Sequence, residues 1–299
     1  MSTHATTAGA TPELADAALV NGRPVLHAAG EPHSLSVLER GLHYGDGLFE
    51  TIACRQGRPR LLDFHLERLA LGCARLRIAF NPFGELRREL ESLAAGQASA
   101  LLKVIVTRGP ATARGYGARG DEHATRITLR FAWPQEDSRC IEDGVAVRIA
   151  ELRLGENPLL AGLKHLNRLE QVLARGEWRD PQIFDALLFS SSGLLVSGTM
   201  CNVFIVNDKR LLTPRLDRCG VAGVMRRAVL HAAAASGIAT AEAALGHAEL
   251  EAAEEIFLTN ARIGVWPVRA VGARTLVPGA MTRRVQKLIH SLLEGPEDA

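Results

Sequence analysis

The stretch Leu163-Lys164-His165-Leu166-Asn167-Arg168-Leu169-Glu170-Gln171 places a lysine between the small pair Ala161-Gly162 and a run of apolar residues. The apolar run has helical spacing, ends near Gly176 and consists of Leu166, Leu169, Val172 and Leu173. This spacing predicts that Lys164 lies at the turn into an amphipathic helix. A partly desolvated cation near the positive end of a helix loses its proton more easily, as an imine-forming amine must. The alternative that the local pattern leaves open is a solvated surface lysine.

The segment Gly162-Leu163-Lys164-His165-Leu166-Asn167-Arg168-Leu169-Glu170-Gln171 resembles the Schiff-base lysine segment of fold-type IV pyridoxal-phosphate enzymes. Among them it is most similar to the 4-amino-4-deoxychorismate lyases, with branched-chain and D-amino acid aminotransferases as more distant relatives. The resemblance runs from about Leu19 to Val277 and rests on several motifs in the same order. It implies an α+β fold with two domains, an N-terminal α/β sandwich and a C-terminal β-barrel-like domain with helices. It also implies pyridoxal 5′-phosphate as cofactor, Lys164 as its attachment point and a homodimer.

Composition is consistent with such an enzyme and argues against several other classes. A chain of 299 residues with 47% hydrophobic content can form two domains. The net charge is +2 and no basic run interleaves with aromatics, so nucleic-acid binding is not indicated. No uncharged apolar stretch reaches transmembrane length, and no H-x-H or H-E-x-x-H group indicates a metal. The cysteines are five in number and form no C-x-x-C pair, which favours reduced thiols in the cytoplasm.

The division into domains follows from composition and turn signals. Residues 1–18 are rich in Thr and Ala and lack a hydrophobic signal core, so we expect a disordered leader. An N-terminal α/β domain is expected over residues 19–133 and a linker over residues 134–140. Residues 141–299 are then expected to form the cofactor-binding domain.

Two motifs of the N-terminal domain carry candidate site residues. The glycine-rich residues 40–51 predict a turn before a strand, and they match the family's "YGDGxFE" segment, whose aromatic ring lines the substrate pocket. Tyr44 takes that place here. The predicted helix beginning at Asp63 contains Arg68, which by pattern alone is an exposed helix arginine. The family motif "HxxRL" implies instead that Arg68 binds the cofactor phosphate, since a planar guanidinium suits a phosphate dianion.

A third motif follows the strand predicted for residues 101–106. Arg108 and the later Arg114-Gly115-Tyr116 resemble the "RG…RGY" loop of the lyases. The resemblance implies that this loop covers the mouth of the active site and that Arg108, Arg114 and Tyr116 bind the substrate, which has two carboxylates. The alternative is that both arginines are solvated loop charges.

The strand pair that faces the cofactor in the family matches residues 194–206, with Asn202 in place. Most relatives have a glutamate five residues before this asparagine, where it bonds the pyridine nitrogen, whereas this chain has Ser197. No Asp or Glu occurs between Leu187 and Asn207. A serine hydroxyl supports a neutral pyridine and therefore a weaker electron sink. The alternative is a shifted register, with a carboxylate arriving from elsewhere in the fold.

Two further segments resemble the family's phosphate-binding turns. Residues 219–227 are similar to its "GxxGxxR" helix start, which implies that the backbone N–H groups of Val224 and Met225 bind the phosphate. An ordinary glycine before a helix is the alternative. The strand predicted for residues 254–261 ends in a polar turn, with Thr259 and Asn260 as candidate phosphate ligands.

These motifs together imply a lyase of folate biosynthesis that converts 4-amino-4-deoxychorismate to 4-aminobenzoate and pyruvate. An aminotransferase acting on branched-chain or D-amino acids is the alternative with the same fold. Ser197 favours the lyase, because aromatisation drives that reaction and transamination depends more on a strong electron sink. A non-catalytic pyridoxal-phosphate-binding protein is the remote alternative, and it would leave the substrate-loop arginines without a purpose.

Overall fold

The computed structural model describes residues 15–25, 35–135 and 138–294. The first sheet and its helices precede residue 133. Their bounds are β1 (Ala17–Val20), β2 (Arg23–Pro24), α1 (Arg40–Tyr44), β3 (Gly47–Arg55), β4 (Arg58–Pro59), α2 (Leu62–Leu76), α3 (Phe83–Ala94), β5 (Ser99–Thr107) and β6 (Thr125–Ala132). The six strands are ordered β2-β1-β6-β5-β3-β4.

Helices α2 and α3 cover one face of this sheet. Alternate residues of β5 are buried, as the period of a half-buried strand requires, and they pack against apolar residues of both helices. The packing is close where α2 crosses β3, because a Cβ on Gly72 would lie 2.7 Å from Cδ1 of Leu48. The expected α/β sandwich, the strand starting near Leu48 and the helix carrying Arg68 are therefore confirmed.

The second sheet and its helices follow residue 138. Their bounds are α4 (Arg139–Glu142), β7 (Val145–Leu154), α5 (Leu169–Arg175), β8 (Ile183–Ser190), β9 (Leu195–Gly198), β10 (Asn202–Asn207), β11 (Arg210–Pro214), α6 (Val224–Ala235), β12 (Thr240–Ala243), α7 (His247–Glu251), β13 (Glu255–Asn260), β14 (Gly264–Val271), β15 (Arg274–Thr275) and α8 (Ala280–Glu294). The sheet runs β12-β11-β10-β13-β14-β7-β8-β9, and β15 pairs with β14.

This nine-stranded sheet curls until its two ends approach each other. The N–H of Leu195 in β9 donates to the carbonyl of Leu245, just after β12, at 2.7 Å. Alternation sorts the side chains of β10 into two cores: Val203 faces the inside of the curl, whereas Phe204 faces α6 and α8. The β-barrel-like domain with outer helices is thus confirmed.

Two expected domain boundaries are shifted. Strand β1 begins at Ala17, so the leader expected to end at residue 18 is too long by at least two residues. Most of that leader lies outside the described residues. The expected linker 134–140 ends in α4, which begins at Arg139, because a short helix already forms before the second sheet. We infer two domains that meet between β6 and α4.

The helix expected to begin next to Lys164 starts later in the chain, and its apolar side chains are less buried than their spacing predicts. Helix α5 begins at Leu169, and Leu169, Val172 and Leu173 are exposed by 76%, 62% and 64%. Helical spacing shows that these residues share a face, but it does not show what covers that face. Among the described residues, none of the helices is long and apolar enough to cross a membrane.

Candidate active site

Lys164 lies in an extended segment that backbone hydrogen bonds hold on two sides. On one side, the N–H of Phe49 in β3 donates to the carbonyl of Lys164 at 3.0 Å. On the other, the N–H of Gly162 donates to Gly220 and that of Ala222 donates to Gly162, both at 3.0 Å. Gly162 has a φ of +80°, which favours glycine over any residue with a Cβ. The lysine is thereby fixed between the first sheet and the glycine segment that leads into α6.

The ammonium of Lys164 is placed to lose its proton at neutral pH. Its Nζ lies 4.2 Å from the ring centroid of Phe49. Burial and the nearby Arg68 charge lower the pKa of Lys164 to about 7, against the opposing effect of Glu50. A lysine with such a pKa is a substantially neutral nucleophile or base near pH 7, whereas a surface lysine is not. Lys164 is half-buried, so its surroundings do not favour the solvated-lysine alternative.

Arg68 extends from α2 toward Lys164, and the buried carboxylate of Glu50 holds its guanidinium. Its Nε donates to Oε1 of Glu50 at 2.8 Å, and its Nη2 donates to Oε2 of the same residue. Nδ1 of His65 lies 2.6 Å from Oε2 of Glu50. Burial alone would raise the pKa of Glu50, but the charges of Arg68 and His65 outweigh it and lower that pKa to about 2. Arg68 is therefore a fixed cation, and it is not the exposed helix residue that the pattern alone allows.

The glycine segment before α6 has the features of an anion cradle. Nη1 of Arg68 donates to the carbonyl of Ala222 at 2.9 Å, which places the guanidinium beside the start of α6. Within the described ranges no side chain caps this helix at Gly223, and its first turn contains no acidic residue. The N–H groups of Val224 and Met225 belong to that turn, and such groups bind phosphate at many helix N-termini. These residues fit a phosphorylated cofactor.

Asn202 supports the cradle. Its Nδ2 donates to the carbonyl of Val221 at 2.9 Å. A Cβ on Gly223 would lie 2.0 Å from Oδ1 of Asn202, so a larger residue there would displace the side chain of Asn202. Asn202 thus contacts the backbone of the cradle, and its role in cofactor binding stays a prediction.

Ser197 lies in β9 opposite Leu188 of β8, and its hydroxyl donates to the carbonyl of Gly198 at 2.8 Å. The buried carboxylate of Asp185, a residue of β8, reaches the turn that follows β9. Its Oδ1 accepts from the N–H of Thr199 at 2.9 Å and from the hydroxyl of Thr199 at 2.5 Å. Burial raises the pKa of Asp185, and its hydrogen bonds oppose that rise. Position 197 itself has no carboxylate. The nearby carboxylate of Asp185 is bound to Thr199.

Thr259 and Asn260 shape the β13–β14 turn. The hydroxyl of Thr259 donates to the carbonyl of Gly264 at 2.6 Å. Oδ1 of Asn260 accepts from the N–H groups of Arg262 and Ile263 at 2.9 and 3.0 Å. Thr259 pairs in register with Asn202, which brings the turn close to the cradle. Their side chains already have backbone partners, so their role as phosphate ligands stays a prediction.

The predicted substrate residues divide into two groups. Arg108 donates to both carboxylate oxygens of Asp46, at 2.8 and 3.1 Å, and to the carbonyls of Leu76 and Arg77 at 2.8 and 2.6 Å. Burial would raise the pKa of Asp46, but hydrogen bonds from Arg108 and Arg40 outweigh it and lower that pKa. The guanidinium of Arg108 is therefore engaged at the base of its loop, and its use as a free carboxylate ligand is not favoured.

Tyr44, Arg114 and Tyr116 lie toward solvent. The rings of Tyr44 and Tyr116 are 5.2 Å apart, and Tyr116 is 84% exposed. Arg114 is also exposed. Arg40, buried beneath them, donates through Nη2 to the carbonyl of Tyr116 at 2.7 Å. The loop and Tyr44 therefore share one anchor. Tyr44 ends helix α1, where the sequence predicts only a glycine turn.

Several residues of the site have no predicted role in the sequence. Glu50, His65, Asp46 and Arg40 all lie inside motifs that the sequence makes conspicuous. What marks these residues is a charged or titratable side chain that is largely shielded from solvent. The sequence does not show this burial, whereas the fold does. Lys103 is another, with Nζ 5.8 Å from the Phe49 ring on which Lys164 also lies.

A lysine that is neutral near pH 7 and adjoins an anion cradle suits an enzyme that holds a phosphorylated aldehyde cofactor. Comparison with known proteins agrees: the family described as "Amino-transferase class IV" matches residues 47–271. The chain belongs to this family, whose cofactor is pyridoxal 5′-phosphate.

Individual relatives point in the same direction. An aminodeoxychorismate lyase of Vibrio harveyi is 35% identical over 271 residues, which cover 89% of this chain and 97% of the relative. The crystal structure of 4-amino-4-deoxychorismate lyase from Pseudomonas aeruginosa has a TM-score of 0.85 at 44% identity and covers 92% of this chain and 98% of its own. A D-alanine aminotransferase of Bacillus licheniformis is 27% identical and covers 86% of this chain and 91% of its own.

Proposed function

We propose that the protein is a pyridoxal-phosphate-dependent lyase that converts 4-amino-4-deoxychorismate to 4-aminobenzoate and pyruvate, a reaction of folate biosynthesis. The observation that carries the proposal is the 44% identity to the lyase of Pseudomonas aeruginosa over nearly the full length of both chains. The aminotransferase alternative is supported less, by 27% identity to a D-alanine aminotransferase.

The proposed roles of the cofactor-binding residues follow from their contacts. Lys164 holds the cofactor through its Nζ, and Arg68 holds the phosphate together with the N–H groups of Val224 and Met225. Asn202 and the turn of Thr259 and Asn260 keep the cradle in place. The role proposed for Ser197 does not follow from its present contact: its hydroxyl would have to turn from the carbonyl of Gly198 to face the pyridine nitrogen, where it would support a neutral ring. When bound, the cofactor withdraws electrons from the substrate carbon that bears the amine.

The proposed proton transfers use Lys164. Once the substrate amine has displaced Nζ from the cofactor, the amine of Lys164, with a pKa lowered to about 7, would be partly unprotonated at neutral pH and would remove the proton from the ring carbon that bears the substrate amine. The same ammonium then gives that proton to the methylene carbon of the leaving enolpyruvate, which becomes pyruvate. Formation of the aromatic ring drives the elimination. Phe49, packed against Nζ, helps to keep water from the amine.

Substrate recognition is proposed for the exposed side chains of Arg114 and Tyr116 and for the half-buried ring of Tyr44. Arg114 binds a substrate carboxylate, and Tyr44 and Tyr116 line the ring-binding surface. Arg108 acts indirectly, because its hydrogen bonds to Asp46 hold the base of the same loop. This division differs from the role implied for Arg108 by resemblance alone.

We also propose that the protein works as a homodimer in the cytoplasm. The exposed apolar face of α5, formed by Leu169, Val172 and Leu173, would be costly to leave in water and suits a second copy of the chain. The part of the chain that the structure describes contains no disulfide, which is compatible with a reducing compartment. Sedimentation at assay concentration tests the dimer, and an active monomer would contradict it.

The function is tested by two parallel assays on the purified holoenzyme. Incubation with 4-amino-4-deoxychorismate should yield 4-aminobenzoate and pyruvate in equal amounts. Incubation with D-alanine or a branched-chain amino acid and 2-oxoglutarate should yield much less product. A kcat/KM for transamination above that for aminobenzoate release would reject the lyase in favour of the aminotransferase.

A further inference from the structure

A second cavity, of about 630 Å³, lies between the two domains. Arg55 and Arg60 of the β3–β4 hairpin and Trp133 after β6 form one side of it. Helix α8 and the β13–β14 turn form the other. Its volume is in the range of about 300–1,000 Å³ typical of small-molecule sites.

This cavity is separate from the site around Lys164. Neither Lys164 nor Arg68 lines it. Phe49, which contacts Lys164, and Arg55 both lie on β3, six residues apart. At about 3.3 Å per residue, Phe49 and Arg55 are about 20 Å apart. Met225 does line the cavity, so the start of α6 forms part of a wall between the two sites.

The lining of the cavity is strongly cationic. Of its described lining residues, none is Asp or Glu, and the cations are Arg55, Arg60, Arg262 and Lys287, with His290 beside them. The whole chain has a net charge of only +2, so positive charge is concentrated here. Glu294 at the end of α8 forms an ion pair with Arg60 and offsets one of these charges. Burial and the neighbouring Arg60 lower the pKa of Arg55, and the charge of Glu294 opposes that shift.

The cavity also has aromatic and aliphatic walls. Cζ of Arg55 lies 3.5 Å from the ring centroid of Trp133, so the guanidinium is stacked and only its N–H edge is left for a ligand. That edge matches a planar carboxylate. Trp266, Ile263 and Ile289 add apolar side chains to the lining.

We propose that this interdomain cavity binds a small aromatic carboxylate, with its carboxylate on Arg55 and Arg60 and its ring on the apolar wall that includes Trp266. The carboxylate pairs with the guanidinium of Arg55, which is stacked on Trp133, and the ring covers apolar surface between the domains. The site is independent of the proposed lyase activity.

Benzoate is a suitable probe, because it has no amine with which to replace the substrate at the cofactor. We would measure the binding of radiolabelled benzoate to the holoenzyme by equilibrium dialysis. One benzoate should bind per chain, and binding should weaken as NaCl is added, since exposed and half-buried charges are screened. Arg55→Gln should weaken binding at least about tenfold, as loss of a bidentate ionic contact does.

The control is Arg58→Gln, which removes the same charge from the same hairpin at an exposed position outside the cavity lining. It should leave benzoate affinity unchanged. Lys287→Gln changes an exposed residue of α8 and should weaken binding without affecting folding, so the proposal stays testable if Arg55→Gln folds poorly. Lys164→Ala should bind benzoate as the unaltered protein does.

Three results would overturn the proposal. Equal affinity of Arg55→Gln and Arg58→Gln would show that the cavity cations do not bind the ligand. Loss of binding in Lys164→Ala would place benzoate at the first site. Cyclohexanecarboxylate binding as tightly as benzoate would remove the aromatic part of the assignment. Failure of the lyase assay alone would affect none of these outcomes.

Discussion

Glu50 holds Arg68 by two hydrogen bonds, from Nε at 2.8 Å and from Nη2, in a place where neither side chain is well exposed. The carboxylate is on β3 and the arginine is on α2, so this pair connects the first sheet to the helix that covers it. The third nitrogen of the guanidinium bonds the backbone of Ala222 in the other domain. Glu50 therefore orients the guanidinium of Arg68 toward the cradle, and it can do so without touching the cofactor.

Replacing Glu50 with Gln should weaken cofactor retention by about tenfold or more, because a neutral amide cannot hold both guanidinium nitrogens and leaves a buried cation with half its partner. The measurement is the rate of cofactor loss on dialysis, followed by absorbance. The matched control is Glu67→Gln. Glu67 is next to Arg68 on α2 but pairs with Arg227 on the surface, so this variant should change cofactor retention little. Equal cofactor loss from both variants would mean that Glu50 does not orient Arg68.

Lys164 should determine how the apoenzyme takes up its cofactor as pH changes. With a pKa lowered to about 7, the amine is neutral above pH 7 and becomes protonated below it. The rate constant for cofactor uptake should therefore be nearly constant above pH 8 and fall about tenfold per unit below pH 6, as one protonation dictates. Stopped-flow absorbance on the apoenzyme measures it, and borohydride reduction followed by peptide mapping should locate the cofactor on Lys164.

Two results would contradict this assignment. A rate that still rises between pH 9 and 10 would indicate a lysine with an ordinary pKa. Label on Lys103, whose Nζ lies on the same Phe49 ring at 5.8 Å, would move the attachment point to β5.

The close crossing of α2 over β3 makes a separate prediction about stability. Gly72→Ala would place a Cβ 2.7 Å from Cδ1 of Leu48, a fully buried side chain, so the free energy of unfolding should fall by about 1–3 kcal/mol. Gly84→Ala in α3 is the control, because its new Cβ would have only a side-chain atom of Arg88 near it, at 3.9 Å. That control should be neutral or more stable by about 0.5–1 kcal/mol. Urea unfolding of both variants gives the comparison.

How far the sequence predicts this protein depends on the kind of signal. The α/β sandwich and the barrel-like domain follow from motif order, and Arg68, Asn202 and the α6 start lie together as the resemblance implies. The helix start beside Lys164 is predicted wrongly, because the lysine segment is extended by hydrogen bonds to β3 and to the glycine segment, which are distant in the sequence. Spacing along one segment contains no information on such partners.

The same limit explains the arginines of the loop after β5. Arg108 and Arg114 look alike in the sequence, as charges beside glycines. Only the fold shows that Asp46 binds Arg108, whereas Arg114 is exposed. The buried Glu50 and Arg40 were missed for a related reason, since a charged residue in a strand or short helix gives no sign of its burial until its ionic partner is known.

The last prediction concerns Ser197, where most relatives carry a glutamate. If its hydroxyl faces the pyridine nitrogen, Ser197→Glu should protonate the ring and strengthen the electron sink, so transaminase side activity should rise and the absorbance spectrum of the substrate-treated enzyme should shift to longer wavelength. Ser197→Ala should cost less, about 0.5–1.5 kcal/mol of cofactor binding, because a neutral nitrogen needs one modest hydrogen bond.

The control for added charge is Ser191→Glu, on the exposed turn between β8 and β9, which should change neither the spectrum nor the side activity. Cofactor occupancy must be measured in every variant, since the glutamate is larger than the serine it replaces. The buried Asp185 gives the competing explanation: its carboxylate, held by Thr199 at the next turn, would supply the acid if the register were shifted. In that case Asp185→Asn would change the spectrum and Ser197→Glu would not, because the nitrogen would lie beyond the reach of position 197.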